Sequence, residues 1–310
     1  MRDFWWHNRG EKRVHWVAWK KVCRPLGKGG LGVRELKAFN IVLLAKQGWR
    51  LITKPNSLLS LVLKAKYFPH CSFWDAQVGG RPSLTWRSIL LAKEVLRKGC
   101  EERSVADAPG EIRQIWKPSK KGIFSVRSAY EVFLGLADQQ LASTSRPFPM
   151  LTEDCEHFWR HLWVIVAPPR VRLQIWRFCY DAVPTMANLA KRQKEVDTHC
   201  HMCEAEVETL QHILLECPFA RMAWGLSNLP WCHVRDWREG AAAWFSAVMK
   251  RLDKEEGAWF ITLCWALWQN RNRRRMEGSV SDPQRVVRQA QLFLRNYVDA
   301  RNKLKLGLLK

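Results

Sequence analysis

Apolar positions recur at helical spacing along most of the chain. Leu36, Phe39, Leu43 and Leu44 fall three or four residues apart, as do Leu58, Leu61, Val62 and Ala65, and each set predicts an amphipathic helix with that stripe against a core. Ser83 is of N-cap type and predicts a third helix, with Trp86, Ile89, Leu90 and Leu96 inside and Gly99 at its end. The best strand candidate is the short segment 122–126 (GIFSV), running into a helix over 128–134. Pro168 and Pro169 stop the pattern; Val171, Ile175, Phe178 and Cys179 restart it, and Pro184 ends it. Two last helices are predicted over about 255–277 and 283–304. The expected fold is mainly α with a small β element.

Residues 137–156 break this periodicity with Gln, Ser, Thr and two Pro, as an exposed linker does. The chain is thereby divided into a basic helical region at 1–136, a linker at 137–156, a module at 157–226 and a helical basic extension at 227–310.

Charge sharpens this division. The 310 residues hold 51 Lys and Arg against 29 Asp and Glu, a formal net charge of +22. Residues 1–150 carry 27 basic and 11 acidic side chains, 151–269 carry 13 and 15, and 270–310 carry 11 and 3. A near-neutral middle between basic ends argues against an ordinary neutral enzyme and points to a polyanionic partner, RNA or DNA, bound without sequence preference. Arg271, Arg274 and Arg275, at i, i+3 and i+4, form the densest candidate nucleic-acid face; a solvated helix surface is the plain alternative. The N-terminus lacks the basic and apolar regions of a signal peptide, and the longest apolar run, 258–268, is shorter than the ~20 residues that span a bilayer. A soluble, intracellular protein follows, not secreted and without a membrane partner, with the nucleus an admissible compartment. Eighteen Trp are enough to stack bases, but Trp86, Trp265 and Trp268 lie on apolar helix faces and are expected in the core.

The strongest chemical signal is Cys200-x2-Cys203-x8-His212-x4-Cys217, four ligand types within 18 residues. Its spacing resembles that of zinc sites, with His199 and His201 as alternative ligands. His212 and Cys217 are five positions apart and cannot share an α-helical face, so a break is expected between a helix carrying His212 and a new helix with Pro218 at its first position. Cys217 would stand at that helix's N-terminus, where backbone N–H groups favour a thiolate. Four protein ligands leave no place for a reacting water, so the zinc would be structural.

Other motifs carry less. Gly27-Lys28-Gly29-Gly30-Leu31-Gly32 fits G-x-G-x-x-G but follows no buried strand and has Ile52-Thr53 where an acid is needed, so it is expected to be a flexible basic turn. There is no zinc-deaminase pattern, no Ser/His/Asp set and no Asp-Asp pair. No catalytic residue and no small-molecule substrate are expected.

Several runs together resemble a known family. Val14-His15-Trp16-Val17-Ala18-Trp19-Lys20, Gly29-Gly30-Leu31-Gly32-Val33-Arg34, Gly48-Trp49-Arg50 and Lys64-Ala65-Lys66-Tyr67-Phe68 are similar to the region downstream of the polymerase core in plant LINE-type (non-LTR) retrotransposon proteins. Ser83 to Ile89, Gly122 to Tyr130, Pro168-Pro169-Arg170-Val171 and the Cys/His set with Glu208-Thr209 resemble that family's reverse-transcriptase zinc-binding domain. The resemblance runs over about residues 4–277. It implies the metal set at Cys200, Cys203, His212 and Cys217 and does not carry polymerase activity over, because the polymerase core has no counterpart here. Residues 100–111 stand where the family has a longer Trp-rich segment, as an internal deletion would leave them. The expected function is a non-enzymatic, retroelement-derived zinc-binding protein that contacts nucleic acid through its basic ends. The alternative is a structural or protein-interaction remnant, favoured locally by Glu204, Glu206, Glu208 and Glu216 around the metal set.

Overall fold

The computed structural model describes residues 15–104, 112–142, 153–192, 196–229, 237–279 and 281–307. The chain divides into two compact units, one of Arg34–Pro147 and one of Met1–Val33 with Phe148–Lys310.

The first unit holds helices α2 (Leu36–Thr53), α3 (Leu58–Tyr67), α4 (Leu84–Leu91), α5 (Lys93–Gly99) and α6 (Val126–Ala142), preceded in the chain by the one-turn α1 (Trp19–Val22) of the other unit. Ser83 caps α4 by accepting the Trp86 N–H, as its position predicts. Trp86 is fully buried, stacked on Tyr67 and Phe68 at centroid distances of 4.8 and 5.4 Å. The helix expected to run on to Gly99 is broken at Ala92 into α4 and α5. Gly99 is there for space: a Cβ would meet the Trp116 ring at 2.2 Å.

The expected apolar stripe of α3 faces outward, and that of α2 is split between exposed Leu36 and Leu43 and half-buried Phe39 and Leu44. On α3, Leu58, Leu61 and Val62 are 79%, 52% and 56% exposed, and Ser60 and Leu63 are the buried residues. On α2 the core-facing residues are Ala38, Val42, Ala45, Gly48 and Leu51, while Leu36 and Leu43 are exposed. Small residues face inward because large partners fill the space, Leu96 and Phe73 lying directly over Gly48.

The β element is elsewhere than expected. Strands β1 (Cys100–Ser104) and β2 (Ile112–Trp116) pair antiparallel with Cys100 opposite Trp116 and Ser104 opposite Ile112. The strand candidate 122–126 is not a strand: residues 122–125 are irregular and Val126 is the first residue of α6. The α6 helix reaches Ala142, and the next begins at Glu153, so both ends of the expected linker are helical; residues 143–152 lie outside the described residues.

The second unit contains α7 (Glu153–Val164), α8 (Pro169–Cys179), α9 (Met186–Ala190), α10 (Pro218–Gly225), α11 (Ala241–Met249), α12 (Lys254–Glu277) and α13 (Pro283–Lys305). Val171, Ile175, Phe178 and Cys179 line the inner face of α8, as their spacing predicts. Asp253 and Glu256 form a reciprocal capping box that starts α12. Trp244, Phe245 and Phe260 meet in its core. Trp268 is buried, and the half-buried Trp265 stacks on Phe293 with Arg170 over both rings.

Val17 and Val22 belong to this same core, whereas the sequence groups residues 1–33 with 34–136. The cause is the glycine turn, which is not a flexible loop. Trp176 Nε1 and Tyr180 Oη both donate to the Gly29 carbonyl at 2.8 Å. Gly29 has φ 79°, and a Cβ at Gly30 would lie 1.9 Å from the Arg24 carbonyl oxygen. Gly30→Ala is therefore expected to cost about 1–3 kcal/mol through forced backbone displacement, while Gly80→Ala, with nothing within 4 Å, leaves stability unchanged. Equal melting temperatures for the two variants would show the turn to be loose.

Candidate metal centre

A tight knuckle is closed by backbone hydrogen bonds. Cys200 N–H donates to the Glu206 carbonyl at 2.8 Å, Glu204 N–H to the Cys200 carbonyl at 2.7 Å, and His199 and Val207 form an antiparallel bridge. Glu204 takes the left-handed conformation, φ 60°, that reverses the chain after Cys203. Thr209 caps the following turn by accepting the His212 N–H at 3.0 Å.

The expected break falls at Cys217, whose backbone leaves the helix (φ -54°, ψ 131°), but the turn before it is wider than an α-turn. Residues His212–Glu216 form a π-turn, and Cys217 N–H donates to the His212 carbonyl at 2.8 Å, an i to i+5 bond. The wider turn returns position i+5 to the face of position i, which an α-turn does not. Pro218 is the first residue of α10 and Cys217 its N-cap, as expected.

The ligand atoms of Cys200, Cys203, His212 and Cys217 all lie within 4.8 Å of one another. Cys200, His212 and Cys217 are buried and Cys203 is half-buried. Cys203 Sγ is 3.3 Å from His212 Nε2. Three thiols and an imidazole converging in a small volume are soft and borderline donors suited to zinc, with all four positions supplied by protein. The alternative ligands are not part of the cluster: His199 Nδ1 pairs with Asp197 at 2.7 Å, and His201 is outside the convergent group.

Protons are shared unequally among these groups. The Cys217 thiol is lowered, first by the hydrogen bond from Cys200 and further by the N–H groups of Phe219 and Ala220 at the start of α10, against the opposing effect of burial. Cys200 is pushed up to about 12 as the donor to Cys217 and by burial. His212 is raised to about 9, chiefly by the hydrogen bond with Cys200. A metal ion has to displace these protons, so binding is coupled to their release.

Two carboxylates that the sequence marks only as local negative charge have defined partners. Glu206 Oε2 lies 3.2 Å from His212 Nδ1. Glu208 is 0% exposed, accepts the Met186 N–H at 2.9 Å and the Arg271 Nε–H at 2.9 Å, and takes a second bond from Arg271 Nη2.

Arg271 therefore differs from its expected role. It is 1% exposed, paired with Glu208, bonded to the Pro184 carbonyl at 3.1 Å and placed over the Trp268 ring at 4.9 Å. It faces the core because α12 packs against the segment carrying Glu208 before it runs out into solvent. Arg274 is half-buried, 3.6 Å from Glu204, and Arg275 is exposed. The three Arg do not make one solvent face. Among the basic residues near the motif, Lys191 bonds Asn188, Arg192 lies over Trp16, and Lys194 is outside the described residues.

A closed Cys3His cluster on a knuckle and a π-turn defines a structural metal-binding domain. Residues 124–224 match the family described as zinc-binding in reverse transcriptase. The chain is 48% identical over 118 residues to an uncharacterised mitochondrial protein of Arabidopsis thaliana, an alignment covering 37% of this chain and 75% of that one. It is 29% identical over 296 residues to a putative ribonuclease H protein of the same plant, covering 72% of this chain and 46% of the relative. No solved structure matches the chain. The chain belongs to the reverse-transcriptase zinc-binding family of plant retroelement proteins. The family match begins at Phe124, upstream of the 157–226 module read from the sequence. Among the described residues, no helix is long and apolar enough to cross a membrane.

Proposed function

We propose that this chain is a non-enzymatic, zinc-structured part of a retroelement reverse-transcriptase protein that holds RNA or DNA without sequence preference. The observation that carries it is the closed Cys200–Cys203–His212–Cys217 cluster. Zinc held there by four protein ligands would fix the knuckle and the start of α10 and would leave no open position for a reacting water. Two-metal nucleotidyl transfer needs clamped carboxylates, and the sequence has no Asp-Asp pair, so no template-dependent incorporation is expected from the purified chain.

Support for nucleic-acid binding comes from the +22 net charge and from the exposed side chains Arg275, Arg285, Arg288, Arg295, Lys303 and Lys305 along α12 and α13. An intracellular location, the nucleus included, fits such a partner. The second reading, a structural or protein-interaction module, is favoured by the burial of Arg271 and by the exposed Glu204 and Glu206 beside the cluster.

Titration of labelled RNA and DNA at stepped salt separates the two readings. Affinity should fall steeply with salt, and removing one phosphate-neutralising side chain should flatten the log–log slope by about 0.7–0.9. Arg274→Glu with Arg275→Glu should weaken binding uniformly across sequences and leave zinc content unchanged. A parent chain with no salt-sensitive binding puts the interaction module in its place.

A further inference from the structure

His212 presents its two ring nitrogens to different neighbours. Nε2 lies 3.3 Å from Cys203 Sγ, on the side of the sulfur cluster, and Nδ1 lies 3.2 Å from Glu206 Oε2. A neutral imidazole ligand offers one nitrogen to the ion and keeps a proton on the other; the acceptor of that proton fixes the tautomer and ring orientation and raises the basicity of the ligating nitrogen.

Glu206 also acts through its backbone. Its carbonyl accepts the Cys200 N–H at 2.8 Å, so one residue orients two of the four ligands from opposite sides. Glu216 also brings an oxygen within 4.8 Å of His212 and Glu206, but both it and Glu204 have partners of their own. Glu216 Oε1 accepts from Gln211 Nε2 at 2.7 Å, and Glu204 is 3.6 Å from Arg274.

We infer that Glu206 is a positioning residue for the metal centre: its carboxylate accepts the His212 Nδ1–H, directs Nε2 at the ion, and so sets zinc affinity. Glu206 is not itself a ligand in this arrangement, because His212 stands between its carboxylate and the sulfurs. The inference rests on the zinc reading above and specifies which residue tunes that site.

Zinc affinity of the full chain, measured by competition with a chromophoric chelator, tests it. Glu206→Ala should weaken zinc binding by about 10- to 100-fold, and Glu206→Gln, which keeps an acceptor oxygen, should recover most of that affinity. Glu204→Gln removes the same charge two positions away, from a side chain that faces Arg274 while its backbone bond to Cys200 is kept, and should bind as the parent does. Cobalt substituted for zinc gives a second readout, since its visible bands should shift in Glu206→Ala and stay near the parent's in Glu206→Gln. If Glu206→Ala folds poorly, Glu206→Lys takes its place by putting a donor where the acceptor stood: its affinity should fall at least as far, and parent-like affinity overturns the hydrogen-bond role. Parent-like affinity and spectrum in Glu206→Ala, with zinc lost in Cys203→Ser, overturn this inference and leave the zinc reading standing. A parent chain that binds no zinc overturns both.

Discussion

Arg271→Met is expected to destabilise the chain by about 3–5 kcal/mol, the range for removing one partner of a buried ion pair. Glu208 is fully buried, and without Arg271 its carboxylate keeps, among the described residues, only the Met186 N–H as a hydrogen-bond donor. An uncompensated carboxylate in the interior is the costly state, more so than the forfeited attraction. For a unit of this size the melting temperature should drop by about 6–20 °C. Adding Glu208→Gln should restore part of the stability, since a neutral amide is cheaper to bury than a lone charge. Because Glu208 follows the metal knuckle and its N–H bonds the Thr198 carbonyl at 2.8 Å, loss of Arg271 should also loosen zinc binding. Thermal melts and zinc content of the two variants check this. An Arg271→Met chain that melts like the parent, yet binds RNA with a flatter salt slope, would return Arg271 to the surface role that its place in the Arg run suggests.

The second large effect concerns the metal. One zinc per chain is expected, retained in Cys179→Ser and lost in Cys203→Ser or Cys217→Ser. Three thiolates against Zn²⁺ and the convergent geometry need the folded knuckle, so metal binding and folding of residues 196–217 are one event. With free zinc a thousandfold above its dissociation constant, the folded state gains about 4 kcal/mol over the metal-free chain. Chelation should lower the melting temperature accordingly and reduce helical circular dichroism. Metal analysis by mass spectrometry, with melts in zinc and in chelator, reads both quantities. Equal zinc stoichiometry in Cys179→Ser and Cys203→Ser would reject the ligand assignment, and identical melts with and without chelator would make the metal incidental.

What was legible from the residues alone is local in origin. The ligand types and their intervals, the Ser83 cap, the Pro218 start with Cys217 before it, and the inner face of α8 all depend on neighbours within one or two turns, and chain geometry then fixes them. The mainly α character follows from the same periodicities.

Tertiary structure decided the rest, and each case involves a partner distant in sequence or a backbone change that leaves residue types untouched. Periodicity put Leu58, Leu61 and Val62 of α3 against the core, and packing within its own unit buried Ser60 and Leu63 instead. The glycine turn became a packed element only because Trp176 and Tyr180, 147 and 151 positions on, donate to Gly29. The π-turn that reunites His212 with Cys217 has no periodic signature, since a single widened turn changes no residue type. Arg271 and Arg275 are four apart on one helix and look alike in sequence, yet Glu208, 63 residues before Arg271, draws the first into the core while the second stays in water. A charge has to be paired to be buried. Where its partner stands is a property of the fold and is not written in the residues beside it.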